Sequence, residues 1–183
     1  MTLTKTPTAT DSGLFQTTIE TPLDDMIAVA TGSALVLLEF TNRRALPTEM
    51  RDVHKQFGAE PIEAGNAILD QTERELSEYF AGKRTEFTIP LDLRGTPFQR
   101  QVWDELLAIP SGKTRSYGEM AERLSKPGGS RAVGRANGAN RIAIVVPCHR
   151  VIRTGGDLGG YGGKLWRKEW LLKHEGAGGL LPA

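Results

Sequence analysis

Short runs of apolar and β-branched residues, separated by polar or glycine-containing segments, lie within residues 14–40 in the manner of β-strands. Residues 14–21, 26–31 and 34–40 are rich in β-branched and apolar side chains, and a Gly-Ser pair between the last two suits a tight hairpin turn. The pattern predicts a small antiparallel sheet. The polar, Thr-rich residues 1–12 precede it, and we expect them to be mobile.

Helical periodicity replaces these short apolar runs in the following segments. Residues 45–57 and 67–81 predict helices. The second helix covers one face with apolar side chains, namely Ile68, Leu76, Tyr79 and Phe80. A further short strand is predicted at residues 87–91. The first half is therefore expected to be an α/β module, and because no constellation of catalytic residues is evident in it, we interpret it as a scaffold.

Two capping boxes mark helices in the second half. Thr96 and Gln99 enclose a proline at the first helical position, and this combination begins a helix predicted to run to residue 108. Apolar side chains follow at the spacing of a core-facing stripe: Phe98, Val102, Leu106 and Ile109. Ser116 and Glu119 form the second box, which begins a helix to residue 124.

A glycine-containing turn and a second short helix give this region helix-turn-helix form. The turn is Pro-Gly-Gly at residues 127–129, and Ser130 is predicted to cap a helix at residues 131–137. The form alone is a weak indicator of DNA binding. The second helix is thin because it is rich in Ala and Gly, which suits either tight packing in the core or close approach to another surface. Arg131 and Arg135 share one face of it, which favours exposure.

Charge divides the 183-residue chain into two unlike halves. Residues 1–95 carry 9 Lys/Arg and 15 Asp/Glu, a net charge of −6, whereas residues 96–183 carry 14 and 7, a net charge of +7. The second half therefore suits a polyanion such as nucleic acid, although unevenly charged solvent-facing helices are an alternative. We predict domains at residues 1–94 and 95–183. Since no apolar run is long enough to cross a bilayer and no signal segment is evident, we expect a cytoplasmic protein.

Cys148 is the only cysteine, so the chain has no internal disulfide, and no cluster of cysteines and histidines predicts a metal site. The apolar run at residues 142–146 predicts a strand that delivers Cys148 to a turn. A thiol needs help to ionise at neutral pH, and His149 and Arg150 are candidate helpers. Neighbours on an extended segment point to opposite sides, so His149 would act through a bridging water. The alternative for a lone cysteine is a small buried hydrophobe.

Several segments around this cysteine carry a resemblance to a known family. They are RAVG at residues 131–134, Asn140, PCHRVI at 147–152, GYGG at 160–163 and KEWLLKHE at 168–175. Together they closely resemble the O6-alkylguanine-DNA alkyltransferases, and most closely the bacterial methylated-DNA–protein-cysteine methyltransferases without a separate metal-binding sensor domain. The resemblance covers residues 95–175. It implies an α/β N-terminal domain with a small antiparallel sheet and a mainly α C-terminal domain with a winged helix-turn-helix-like DNA-binding unit.

The resemblance also implies a reaction. Cys148 would attack the alkyl carbon on guanine O6 and keep it as a thioether, so each molecule would react once, with no cofactor and no metal. His149 would accept the thiol proton through water while Glu175 orients the imidazole. Asn140 would hold the hinge region by side-chain hydrogen bonds. Tyr117 would support the target phosphate and donate toward the guanine ring.

The implied partner is double-stranded DNA containing O6-alkylguanine, bound by a monomer that rotates the damaged nucleotide out of the duplex. Arg131 would fill the vacated place in the stack. The small side chains of Ala132, Gly134 and Ala136 would let the thin helix enter the minor groove, with Arg135 on the same DNA-binding element.

The base pocket is implied to include Pro147, Val151, Tyr161 and Gly162. Tyr161 would pack beside the alkylated base, and main-chain groups near Val151 and Gly162 would recognise it. Some relatives carry serine at the position of Gly162, so a backbone amide would have to replace a side-chain hydrogen bond to O6. O4-methylthymine is a possible second substrate.

The glycine-rich loop at residues 155–163 is expected to form a flexible wall of the pocket. Lys164 stands where glycine is common and either contacts a phosphate or points to solvent. Trp166 and Trp170 lie at helical spacing, and we interpret both as core residues beneath the loop.

Three other functions compete with alkyl transfer. A non-enzymatic protein that binds alkylguanine and flags it for another pathway would lack the reactive cysteine. A cysteine hydrolase would use Cys148 and His149, but such enzymes usually bring the histidine from a distant segment and need an oxyanion hole. A helix-turn-helix regulator would leave residues 147–152 unexplained.

Overall fold

The computed structural model describes residues 13–177, and its first half is a four-stranded sheet with two helices. The elements are β1 (Phe15–Ile19), β2 (Met26–Ala30), β3 (Leu35–Phe40), α1 (Leu46–Phe57), β4 (Ile62–Glu63) and α2 (Ala67–Phe80). The sheet order is β3-β2-β1-β4. The three predicted strands are antiparallel neighbours, but β4 pairs parallel with β1, so the sheet is mixed. The two exposed residues of β4 were too short a signal to predict.

Alternate side chains of this sheet enter two apolar cores. On β2, Met26 and Ala28 face a core that also contains α2, whereas Val29 faces a second core with Val53 of α1. This division follows from strand geometry, in which successive side chains point to opposite faces of the sheet. The helices therefore cover opposite faces of the sheet.

The outer edge of β3 binds backbone from two distant segments. Leu35 forms an isolated parallel bridge with Leu91, and Leu38 forms one with Ile142. The strands predicted at residues 87–91 and 142–146 are therefore wrong, since each segment contributes a single bridge and residues 143–146 form a turn. Apolar composition was misleading there, because these residues are buried by packing rather than by strand pairing.

The second half is mainly helical. Its elements are α3 (Pro97–Leu107), β5 (Arg115–Ser116), α4 (Tyr117–Arg123), α5 (Ser130–Gly138), a 3-10 helix (Cys148–Arg150), β6 (Val151–Ile152) and α6 (Leu165–His174). Both predicted capping boxes are present, at the starts of α3 and α4. Helices α4 and α5 form the helix-turn-helix unit, and β5 pairs parallel with β6 beside it. The predicted α/β and mainly α halves are thereby confirmed.

Two local predictions in this half are wrong. Gly129 is the N-cap of α5 and Ser130 is already helical, with no side-chain capping bond among the described residues. Trp166 is 47% exposed rather than buried, whereas Trp170 packs against the core and stacks on His174 with ring centroids 4.7 Å apart. Between residues 13 and 177, no helix combines the length and the apolar character that crossing a membrane requires. The prediction for residues 1–12 lies outside the described residues.

Candidate active site

A cavity of about 500 Å³ opens between the helix-turn-helix unit and the glycine-rich loop. Its walls come from the first turn of α4, from one face of α5, and from residues 153–154 and 160–162, with Cys148 also in the lining. Arg43 completes the wall from the N-terminal half. The cavity volume lies in the range of small-molecule sites.

Cys148 lies at the start of the 3-10 helix and is only 6% exposed. Burial raises the pKa of its thiol above the ordinary value, so the resting sulfur is protonated at neutral pH. The backbone here is helical, not extended as predicted. With about three residues per turn, Cys148 and His149 are not placed on opposite sides of a strand.

His149 is fully buried and bound to Glu175, with Nε2 2.8 Å from Oε1. A carboxylate only accepts hydrogen bonds, so Nε2 carries the hydrogen and Nδ1 is left as an acceptor. Nδ1 is buried and has no hydrogen-bond partner among residues 13–177. Burial lowers the pKa of His149 despite the opposing effect of Glu175. The imidazole is therefore neutral and able to take up a proton at Nδ1.

Glu175 is the centre of a buried network. Burial alone would raise the pKa of its carboxyl, but the hydrogen bond from His149, together with the hydrogen bonds and charge of Arg150, brings it well below the usual range. Arg150 donates from Nε to Oε2 at 2.8 Å and from Nη2 to Oε1 at 3.0 Å. Tyr79 of α2 donates its hydroxyl to Oε1 at 2.8 Å. The carboxylate is thus ionised and held in one orientation.

Tyr79 was not predicted at this site. Its helical spacing correctly placed it on the buried face of α2, where its relative exposure is 1%. A tyrosine on a buried stripe does need a partner for its hydroxyl, and that requirement was the available signal. The identity of the partner depends on packing between residues 96 positions apart.

Asn140 ties together the turn that precedes Cys148. Its Nδ2 donates to the carbonyl of Val146 at 2.9 Å, and its Oδ1 accepts from the amide of Ile142 at 3.0 Å. The C-cap of α5 is Ala139, so Asn140 does not cap the helix. Asn137, which sequence reasoning missed, donates from Nδ2 to the carbonyl of Cys148 at 3.3 Å.

Tyr117 begins α4 and lines the cavity. Burial, followed by the neighbouring Cys148, raises the pKa of its hydroxyl, so it stays protonated and can donate. A Cβ placed on Gly134 would lie 3.8 Å from the Tyr117 ring, which is ordinary contact. Tight packing inside the protein therefore does not require glycine at position 134.

The outer face of α5 carries most of the side chains predicted to bind DNA. Arg131, Ala132 and Arg135 are exposed, and Gly134 faces the cavity. Ala136 does not belong to this surface. It is 3% exposed on the core side, and its carbonyl accepts a hydrogen bond from Trp103 Nε1 at 2.9 Å. Residues four positions apart lie near one another on a helix, and Ala136 is four positions after Ala132. The exposed surface of α5 nevertheless ends before Ala136, which is buried.

Only part of the predicted base pocket lines the cavity. Tyr161 and Gly162 do, and the Tyr161 hydroxyl is buried without a hydrogen-bond partner among the described residues. Pro147 lines a different cavity, which Arg150 also lines. Val151 is buried behind the wall, where its carbonyl accepts from Lys168 Nζ at 2.6 Å. The resemblance implied that all four belong to one pocket, but in the structure only Tyr161 and Gly162 line the cavity that Cys148 lines.

Arg43 is the largest omission of sequence reasoning. It follows β3, and its guanidinium lies 3.1 Å from Glu39 and 2.9 Å from Glu49. Nη2 also donates to the carbonyl of Gly138, the last residue of α5, at 3.0 Å. An acidic residue inside the apolar strand β3 was the signal for a buried cationic partner. The N-terminal half is thus more than a scaffold behind the cavity.

The described residues show no cluster of three or more His, Cys, Asp or Glu side chains arranged to hold a metal ion. The cavity is lined by a nucleophile and a protonated phenol, Cys148 and Tyr117, while the neutral base and the fixed carboxylate, His149 and Glu175, are buried outside its lining. Such a set can transfer a group to sulfur and move protons.

Comparison with known proteins agrees with this arrangement. Residues 14–93 match the family described as 6-O-methylguanine DNA methyltransferase, ribonuclease-like domain, and residues 97–177 match its DNA binding domain. The methylated-DNA–protein-cysteine methyltransferase of Mycobacterium bovis is 48% identical over 158 residues, which cover 86% of this chain and 90% of that protein. Its counterpart from Shigella flexneri is 44% identical over 168 residues, covering 89% and 96%.

Solved structures give the same result. The O6-methylguanine methyltransferase of Mycobacterium tuberculosis superposes with a TM-score of 0.76 at 42% identity, covering 93% of this chain and 96% of that one. A structure from the same organism in complex with DNA gives a TM-score of 0.75 at 43% identity, covering 91% and 94%. The sequence match and the shared fold both extend over nearly the whole chain, which therefore belongs to the methylated-DNA–protein-cysteine methyltransferase family.

Proposed function

We propose that this protein repairs DNA by transferring the alkyl group of O6-alkylguanine to the sulfur of Cys148, once per molecule. The observation that carries the proposal is the position of the only cysteine, in the lining of a base-sized cavity beside the buried His149–Glu175 pair. The names of the relatives support the substrate. No cofactor is needed, and the site of action is the cytoplasm.

The reaction is a displacement at carbon. The Cys148 sulfur forms a bond to the alkyl carbon, the bond from that carbon to O6 breaks, and its electron pair remains with guanine. The thiol proton passes through a water to Nδ1 of His149, which Glu175 holds in place. Tyr117 supports the target phosphate and gives its hydroxyl proton to the guanine ring, so that the base leaves neutral, and the proton taken up by His149 balances the phenolate that remains. A thioether does not leave readily, so the protein is consumed.

Access to the cavity requires the nucleotide to leave the duplex, because a stacked guanine cannot reach a sulfur that is 6% exposed. Arg131 is exposed at the cavity wall and is proposed to fill the gap left by the base. Ala132 and Gly134 allow α5 to approach the minor groove, and Arg135 contacts the backbone. The protein acts on double-stranded DNA as a monomer.

Inside the cavity, Tyr161 is proposed to pack beside the base, with the backbone at Gly162 recognising its edge. Asn140 keeps the turn before Cys148 closed through its bonds to Val146 and Ile142. Lys168 fixes the Val151 carbonyl from behind. These groups position the base and the nucleophile without taking part in bond changes.

The test is transfer from a duplex that contains O6-methylguanine with a labelled methyl group. We expect one equivalent of label at most, located on Cys148 by peptide mass spectrometry, and none with Cys148→Ser. Repeated turnover would contradict the single-use mechanism. Tight binding without transfer would instead identify a damage-binding protein. The same experiment with a duplex that contains O4-methylthymine tests the second substrate.

A further inference from the structure

Arg43 lies where a side chain of residue 162 would otherwise be. A Cβ placed on Gly162 would be 2.7 Å from Arg43 Nη1, closer than real Cβ atoms come to other groups, and 3.0 Å from its Cζ, which is tighter than most Cβ contacts. The guanidinium therefore occupies the space that a side chain of residue 162 would take at the wall of the cavity, while Gly162 itself stays exposed. A glycine on this wall and an arginine from the other half of the chain fit together as one surface.

The guanidinium is held firmly but is not saturated with hydrogen bonds. Glu39, Glu49 and the Gly138 carbonyl fix three directions, and the side chain is only 8% exposed. Nη1 has two N–H groups. One of them binds Glu39, and the second has no acceptor among residues 13–177. Nε is buried without an acceptor among the same residues. Unpaired buried donors are costly, so they indicate an acceptor that arrives with the substrate.

The chemistry of the substrate supplies such acceptors. Guanine presents ring-nitrogen acceptors beside O6, and arginine is the side chain that most often reads that edge. We propose that Arg43 is a specificity-determining residue of the base pocket, whose guanidinium fills the place left by Gly162 and donates a hydrogen bond to the alkylated base. This inference rests on the proposed function and adds a substrate contact from the N-terminal half.

The first test compares two arginines that join the halves of the chain. Arg43→Ala and Arg43→Lys are measured beside Arg141→Ala, because Arg141 bridges to Asp52 at 2.8 Å without lining this cavity. The readout is the rate of Cys148 alkylation by free O6-benzylguanine, followed by mass spectrometry. We expect a loss of about tenfold or more for both Arg43 variants, the range for a hydrogen bond from a charged group. Arg141→Ala should stay within about twofold of the unmodified protein.

The Arg43→Lys variant separates loss of the hydrogen bond from loss of folding. It keeps a positive charge between Glu39 and Glu49 but lacks the planar guanidinium group with its several N–H donors. Circular dichroism melting curves identify any variant that is not folded. If Arg43→Lys and Arg141→Ala lose the same amount of rate, the inference fails. It also fails if the Arg43 variants lose rate only with duplex substrate, because the contact would then be to the DNA backbone.

The second test asks whether Arg43 and the side chain at position 162 compete for the same space. Gly162→Ser alone must displace Arg43 and should slow the reaction, whereas the same change added to Arg43→Ala should cause no further loss. Independent losses that simply add would show that the two positions do not share one surface. If the unmodified protein does not react with O6-benzylguanine or with damaged DNA, the proposed function itself fails, and this outcome is separate from a failure of the Arg43 variants alone.

Discussion

At the scale of single residues, the reactivity of Cys148 depends on its neighbours rather than on the thiol itself. Burial raises the pKa of the sulfur, so little thiolate exists before a base acts. His149 is kept neutral by burial, and Glu175 fixes which nitrogen is free. The two opposite pKa shifts together describe a thiol that reacts only when its proton is removed during the reaction.

The pH dependence of alkylation should show that His149, as a neutral base, removes the proton of the Cys148 thiol. Because the pKa of His149 lies below its ordinary value of 6.5, the imidazole remains able to accept a proton at pH 6.5 and is lost as a base only in more acidic solution. The rate with O6-benzylguanine should therefore be level from about pH 7 to 8 and fall with a midpoint below 6.5. A stopped-time mass-spectrometric series gives the profile; a midpoint above 6.5 would mean that His149 is not the base.

Tyr79→Phe tests the hydroxyl that reaches Glu175 from the N-terminal half. The ring fills the same space, but Oε1 loses one donor, so we expect alkylation to slow several-fold and stability to fall by about 1–2 kcal/mol. Thr72→Val is the matched control. Thr72 is buried on the same helix and bonds only to the Ile68 carbonyl among the described residues. Equal rates for the two variants would remove Tyr79 from the site.

At the scale of secondary structure, the sequence predicted what is encoded locally. The capping boxes at Thr96 and Ser116 place the starts of α3 and α4 correctly, because the capping bonds join residues three positions apart. The turn before Cys148 was mistaken for a strand, since its bonds to Asn140 and Leu38 are not visible in apolar composition. Ile144 even adopts a φ of 70°, which no propensity for a β-branched residue would suggest.

The same contrast holds within the candidate site. Cys148, His149 and Glu175 could be named from motifs because one segment of related sequence spans them. Arg43 and Tyr79 could not be assigned to the site, since each acts across a contact between the two halves of the chain. Ala136 and Pro147 were assigned through the resemblance, and a matching motif does not fix which side of the backbone each residue occupies.

Lys164 offers a test of backbone strain at the start of α6. Its φ is 74° and its ψ is 137°, a region that favours glycine, and its side chain is exposed. Lys164→Gly should therefore raise the free energy of unfolding by about 1 kcal/mol. Lys164→Ala keeps the Cβ and should give no such gain. Urea denaturation measures both, and equal stability of the two variants would show that the backbone is not strained there.

At the scale of the whole molecule, the charge division matches the position of the exposed arginines. The half with a net charge of +7 carries α5, whose outer face presents Arg131 and Arg135. In the acidic half, the side chains of Glu39 and Glu49 are buried and bind Arg43. The basic side chains of the second half thus suit a polyanion, and the acidic side chains of the first half fix an arginine in the cavity wall.

Arg135→Ala should weaken binding to damaged and undamaged duplexes by similar factors, since a phosphate contact carries no base information. The slope of log affinity against log salt concentration should become shallower by about 1. Arg44→Ala, an exposed arginine of the acidic half, should leave the slope unchanged. Fluorescence anisotropy over a salt series measures each slope, and a loss confined to damaged DNA would assign Arg135 to the lesion instead.

The backbone bridge between Leu38 and Ile142 has a consequence for how the protein comes apart. A strand near the start of the chain supplies the hydrogen-bond partners of the segment that leads to Cys148. Melting of the first half would release those main-chain groups, so we expect calorimetry to give a single heat-absorption peak and reactivity to vanish at the same temperature. A fragment starting at Gly95 would keep every atom of the nucleophile and still be inert, because the reaction centre is a property of the assembled chain.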